Sequence, residues 1–201
     1  MKQKTDFNTS ETLKNLARSF ASECMEGAKY QFIAQQSVTK GLNYLESVFK
    51  TLAKHEMSHA KVFWQLMHDN YDGEIVENVN MNFGYPFDCT DYVQSINCRK
   101  TEEQSLSTNI YPEFAKIAKK EGYPEIAHKF ELIATVENCH NMLLSQIEQK
   151  LKANKLYKST QSQKWKCSQC GFEHTAKQPP APCPLCEYEQ GYYEVPFEMG
   201  E

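Results

Sequence analysis

No stretch of this chain approaches the ~20 consecutive apolar residues needed to cross a bilayer, so no membrane partner is expected. The first residues, Met1 to Leu16, contain no continuous apolar segment, and no secretory signal is expected there. There is no basic stripe and no alternation of basic with aromatic residues. Net charge is −4, from 22 basic and 26 acidic residues. Nucleic acid is therefore not an expected partner. No low-complexity tract interrupts the chain. Hydrophobic residues fill only 40% of the 201 positions, below the usual globular share. A core must then come from concentrating them on particular faces. The length allows one mid-sized domain and a small one. Eight cysteines would fit a secreted disulfide protein, but four of them stand in paired Cys-x-x-Cys motifs. That pattern points to metal binding, with a reducing cytoplasm as the expected setting.

What the chain has is four apolar seams. Leu42, Leu45, Phe49, Leu52, Glu56, His59, Phe63 and Leu66 follow spacings of three and four. Ile126, Phe130, Ile133, Glu137, His140, Leu144, Ile147 and Leu151 do the same. This is the inward face of a bundle helix. Earlier in the chain, Leu13, Leu16, Phe20, Glu23, Gly27, Tyr30 and Ala34 form a third seam. Glu103, Leu106, Ile110, Phe114 and Ile117 form the fourth. The spacings predict helices over about 9–38, 40–70, 91–121 and 123–154. Gly41 separates the first pair, and Gly122-Tyr123-Pro124 the second. Tyr71 to Thr90, with Gly73, Gly84 and Pro86, is too long for a tight turn and reads as one long crossover. Pro112 removes a backbone hydrogen bond and is expected to kink the third helix.

Each seam carries acid. Glu56-x-x-His59 and Glu137-x-x-His140 point two carboxylates and two imidazoles into the core, and Glu23 and Glu103 add one carboxylate each. A buried, unpaired carboxylate costs several kcal/mol or more, so a cation should compensate it. A single Glu-x-x-His arises readily by chance, and a lone seam glutamate is usually paired with Lys or Arg. Two such motifs plus two further seam acids make a different case. Four carboxylates balance two divalent metals, and the i, i+3 spacing sets each Glu beside its His. This inventory matches that of ferritin-like dinuclear carboxylate proteins. Oxygen ligands with one imidazole per metal suit iron or manganese, and zinc would also bind.

Residues 155–163 are polar and read as a linker between a bundle over 1–154 and a small module over 164–201. In that module Cys167, Cys170, Cys183 and Cys186 supply four thiolates for a tetrahedral site. Fewer than ~40 residues cannot fold on a hydrophobic core alone, so the metal should supply much of the folding energy. Spacing alone does not separate iron from zinc, and a pair of disulfides is a weaker alternative. The attached bundle favours iron, because a dinuclear iron site must receive electrons and zinc is redox-inert. Trp165, Phe172, Tyr188, Tyr192 and Tyr193 would cover the metal.

These residues carry a resemblance over nearly the whole chain. Phe20-Ala-Ser-Glu23, Glu56-Met-Ser-His59-Ala60-Lys61, Tyr111-Pro-Glu-Phe114, Val136-Glu137-Asn-Cys-His140, Trp165-Lys-Cys-Ser-Gln-Cys-Gly171 and Cys183-Pro-Leu-Cys186 resemble the rubrerythrins. The resemblance implies an all-α ferritin-like four-helix bundle with one long crossover, followed by a small rubredoxin-like β domain. It implies a diiron centre, a mononuclear Fe(Cys)4 site and reduction of hydrogen peroxide. Electrons would arrive from a reductase or rubredoxin, in a cytoplasmic homodimer. Tyr30 and Tyr111 match tyrosines near the family's diiron centre and are the candidate catalytic residues. A dioxygen-reducing oxidase, an iron-storing ferroxidase and a zinc-stabilised scaffold are the alternatives.

Two positions depart from the family pattern. The family typically has a further glutamate one turn beyond the third-helix ligand, where this chain has Leu106. That glutamate competes with a histidine for one iron, so the resemblance implies a static site here, with His59 bound in both oxidation states. Glu187 stands where rubredoxins usually have Gly, in a place that can require left-handed backbone. Cys24, Cys89, Cys98 and Cys139 match no motif and are read as free thiols.

Overall fold

Ser10 starts the first long helix by accepting the Leu13 N–H at 3.0 Å. The computed structural model describes residues 4–73, 78–87 and 90–197. The helices are α1 (Glu11–Thr39), α2 (Asn43–Asn70), α3 (Tyr92–Ser105), α4 (Tyr111–Glu121) and α5 (Pro124–Lys152). Asp91 caps α3 through the Gln94 N–H at 2.9 Å. Gly122, with φ +93°, ends α4 in the left-handed conformation. α1 packs against α2, and α3 with α4 packs against α5. The two hairpins are joined by the crossover between residues 71 and 91.

Apolar residues form two cores with a polar layer between them. One contains Leu13 and Leu16 of α1, Phe63 of α2, Leu106, Tyr111 and Ala115 of the third segment, and Ile126 and Phe130 of α5. The other contains Tyr30 and Ile33, Leu45, Phe49 and Leu52, Tyr92 and Ile96, and Leu144 and Ile147. α1, α2, α5 and the combined α3–α4 span each run from one core to the other. Each carries its acid at the crossing point.

The third helix differs from its expected form. Leu106–Ile110 is a π-helical turn directly before Tyr111 and Pro112. In a regular α-helix Glu103 and Tyr111 would stand about 80° apart. The wider turn absorbs one residue and brings them within about 20°. Both consequently face the interior. The expected seam of Ile110, Phe114 and Ile117 shifts by one position: Tyr111, Ala115 and Ala118 are the buried residues after the π turn.

The C-terminal module pairs β1 (Gln163–Lys166) with β2 (Glu173–Ala176), antiparallel, with Trp165 opposite His174. Trp165, Cys167, Cys183 and Tyr193 form its small core. The stretch expected to be a polar linker carries two anchors. Leu156 is buried in the bundle's second core beside Val195, and Tyr157 packs against it. The Tyr157 hydroxyl donates to the Gly191 carbonyl at 3.0 Å. Gly191 approaches the α1–α2 turn so closely that a Cβ there would lie 1.7 Å from the Gly41 carbonyl oxygen. Only glycine allows that docking. Cys24 and Cys139 are free thiols, and Cys89 lies outside the described residues.

Candidate metal centres

The bundle brings all six predicted side chains together. The ligand atoms of Glu23, Glu56, His59 and Glu137 lie within 4.8 Å of one another, and so do those of Glu56, Glu103, Glu137 and His140. The two sets share Glu56 and Glu137. Glu56 turns Oε2 toward His59 Nδ1 at 3.4 Å and Oε1 toward His140 Nδ1 at 3.1 Å. Glu137 turns Oε1 toward His59 at 3.0 Å and Oε2 toward His140 at 2.9 Å. Each shared carboxylate thus presents one oxygen to each side.

The unpaired atoms make the same division. Both oxygens of Glu56 and Glu137 are buried without a hydrogen-bond partner, as are Nδ1 of His59 and His140. Glu23 and Glu103 each have only Oε2 unpaired. Their Oε1 atoms accept hydrogen bonds from the Tyr111 and Tyr30 hydroxyls respectively. Buried unpaired polar atoms are costly and rare, so a whole cluster of them aimed at two points fits a pair of cations. Two bridging carboxylates, two terminal ones and one imidazole per position fit a diiron pair.

The electrostatics agree. Burial, with the neighbouring Glu137 and Glu56 adding to it, pushes the Glu23 carboxyl well above its usual range. Burial and the same two neighbours do this to Glu103. Burial alone would lower the imidazoles, but the surrounding carboxylates outweigh it. They lift His59 to about 12 and His140 to about 9. Burial would likewise raise Glu56, yet the His140 and His59 imidazoles facing its two oxygens hold it below its usual range. Without a cation, protons must therefore compensate the cluster. Tyr30 and Tyr111 are fully buried, and burial beside carboxylates keeps both phenols protonated. They act as donors that orient Glu103 and Glu23.

Leu106 is buried in the apolar core and offers no ligand atom. Glu102 lines an outer groove with Arg18 and Phe83 and does not enter the cluster.

The cysteine cage is also assembled. Cys167–Cys186 and Cys170–Cys183 sulfurs lie 3.8 Å apart. A tetrahedral cage with metal–sulfur bonds of about 2.3 Å has edges of about 3.8 Å. Disulfides do not fit those separations. Gly171, with φ +77°, and Glu187, with φ +62°, close the two knuckles in matching left-handed turns. Burial would raise Cys183, but the Tyr193 hydroxyl and the N–H groups of Cys186 and Leu185 outweigh it and bring the thiol down to about 6.

Two features lay outside the sequence reading. Glu26, one turn after Glu23, accepts hydrogen bonds from buried Arg99 and from Lys29. The signal was available: Tyr92, Ile96, Arg99 and Glu103 share one buried face, and an arginine on a seam needs a partner. The second feature is His55, whose ring meets His140. It sits about 100° off the seam beside Glu56, and helical spacing gives no hint of the contact.

A rubrerythrin family model matches residues 14–148 and 99–170, and a model for the rubrerythrin rubredoxin-like domain matches residues 165–194. Rubrerythrin of Clostridium perfringens is 32% identical over 185 residues, covering 92% of this chain and 93% of that one. Among solved structures, mixed-valence nigerythrin superposes with a TM-score of 0.59 at 21% identity, covering 97% and 95% of the two chains. A bacterioferritin from Mycobacterium tuberculosis superposes with a TM-score of 0.56 at 16% identity, over 71% of this chain and 87% of that one. The structural likenesses show a ferritin-like fold.

Proposed function

The chain belongs to the rubrerythrin family, and from that premise we propose that it reduces hydrogen peroxide to water. In this reading Glu23, Glu56, His59, Glu103, Glu137 and His140 hold the diiron pair. Cys167, Cys170, Cys183 and Cys186 hold the mononuclear iron. The observation that carries the reading is the pair of ligand sets sharing Glu56 and Glu137 in a chain that also has a thiolate cage. A diiron pair supplies two electrons together, the number needed to reduce one peroxide to two waters.

The chain's own residues do the rest. Glu56 and Glu137 hold the two metal positions side by side. Tyr111 and Tyr30 keep protons at their phenol oxygens and leave one oxygen of Glu23 and of Glu103 free for metal. Leu106, Phe63 and Phe130 close one side against water, and Tyr30, Phe49 and Leu52 close the other. The docked cysteine module supports electron delivery and weighs against iron storage, which needs no built-in donor. Among the described residues no helix is long and apolar enough to cross a membrane. We place the enzyme in the cytoplasm as a homodimer, fed by a reductase or a rubredoxin.

Stopped-flow mixing of the reduced protein with peroxide, and separately with dioxygen, tests the reading. Two electrons consumed per peroxide, at a rate above that with dioxygen, is the expected result. Faster oxidation by dioxygen would make it an oxidase instead.

A further inference from the structure

His140 turns only one ring nitrogen toward the carboxylates. Its Nδ1 lies 2.9 Å from Glu137 and 3.1 Å from Glu56. The opposite nitrogen, Nε2, lies 3.2 Å from Nδ1 of His55, and the two rings are nearly parallel at 10°. His55 is exposed on α2. It lines a groove of about 390 Å³ with Tyr44, Thr51, Cys139 and Phe197.

A metal takes a neutral imidazole, so binding through Nδ1 leaves the ring's single N–H on Nε2. A ligating histidine is normally held by a partner for that second N–H, and the partner fixes both tautomer and ring orientation. His55 Nδ1 stands at hydrogen-bond distance to fill that place. Its own N–H then falls on Nε2, clear of the contact with His140. Glu56 immediately follows His55, so one turn of α2 carries both a bridging carboxylate and the support for a ligand on α5.

We propose that His55 is a positioning residue for the iron on the Glu103–His140 side. It holds His140 in the tautomer and orientation that present Nδ1 to the metal. The proposal rests on the diiron reading above.

The test compares iron-loaded full-length protein with its His55→Ala, His55→Phe and His55→Gln variants. Iron retention is read against a chelator in the reduced state. Proton NMR of the same state reads the solvent-exchangeable, strongly shifted N–H lines of iron-bound imidazoles. His55→Ala should weaken retention by about 10–100-fold. It should also speed solvent exchange of one shifted N–H while the line from His59 stays as it was. His55→Phe keeps a ring in the contact and removes the acceptor, so it should behave as His55→Ala does. His55→Gln can accept the same hydrogen bond through its amide oxygen and should restore both readouts. Wild-type retention and exchange in the Phe variant overturn the proposal, even if the Ala variant does not fold. Fewer than two irons outside the cysteine cage in the unmutated protein overturn the diiron reading instead.

Discussion

The bundle centre collects six side chains from helices spread between residues 23 and 140, whereas the cysteine cage takes four thiols from residues 167 to 186. The first is set between two apolar cores large enough to hold its shape. The second has a core of little more than Trp165, Tyr193 and the cysteines themselves. Metal should therefore contribute differently to the two. In the bundle it replaces protons in a site the helices already impose. In the module it supplies much of the folding energy.

The largest expected effect comes from Cys183→Ser. Losing one thiolate of the cage should remove structural binding energy on the order of 10 kcal/mol. The module should lose its structure while the bundle stays helical, seen as loss of the module's NMR dispersion with little change in far-UV circular dichroism. A folded, metal-free module would break the comparison.

Glu56→Ala tests the other half. Metal content should fall from three irons per chain to one, and oxidation by peroxide should slow by at least about 100-fold. Helix content should hold, because the two apolar cores remain. Collapse of the bundle would show that its metals are as structural as the cage's.

Acidity sharpens the contrast within the bundle. Glu23 and Glu103 are raised, His59 lies near 12 and His140 near 9, so the cation-free cluster holds protons at neutral pH. Iron must displace them, so its affinity should fall as pH falls and proton release should shrink as pH rises past 9. Calorimetry in buffers of different ionisation enthalpy measures that release. Iron binding with no proton release at pH 7 would contradict it.

A smaller effect is expected at Glu187, whose φ of +62° is costly for a side chain. Glu187→Gly should stabilise the module by about 1 kcal/mol, read as a higher unfolding midpoint of the iron-loaded cage. No change would mean that the knuckle carries no strain.

The last expected effect is an absence of movement. Leu106 supplies no carboxylate, so His59 should remain a ligand in crystals of both the oxidised and the reduced protein. Loss of His59 from the oxidised metal would show that another group substitutes for the missing acid.

Much of this was readable from spacing. The seams on α1, α2 and α5 are helical faces, and an acid on such a face announces itself because burial without a partner is costly. The cage was readable because both of its motifs are local. Periodicity places the inner face of the third helix correctly through Leu106 and one residue out of phase after it. The π turn leaves no mark in the periodicity, because apolar residues at 110, 114 and 117 fit a regular helix as well as Tyr111, Ala115 and Ala118 fit the shifted one. The polar composition of 155–163 hid Leu156 and Tyr157, whose burial depends on where the module docks.

By itself, then, the sequence determined the helices, the crossover, the ten metal-binding candidates and the resemblance that they carry. Those depend on local periodicity and on the chemistry of residue types. Only the tertiary structure decided which carboxylates are shared and which are terminal, because that depends on which oxygens Tyr30 and Tyr111 occupy. It also decided that Gly191 must meet Gly41 and that His55 must meet His140. Such contacts join residues far apart in the chain, and packing between elements, which no spacing records, brings them together.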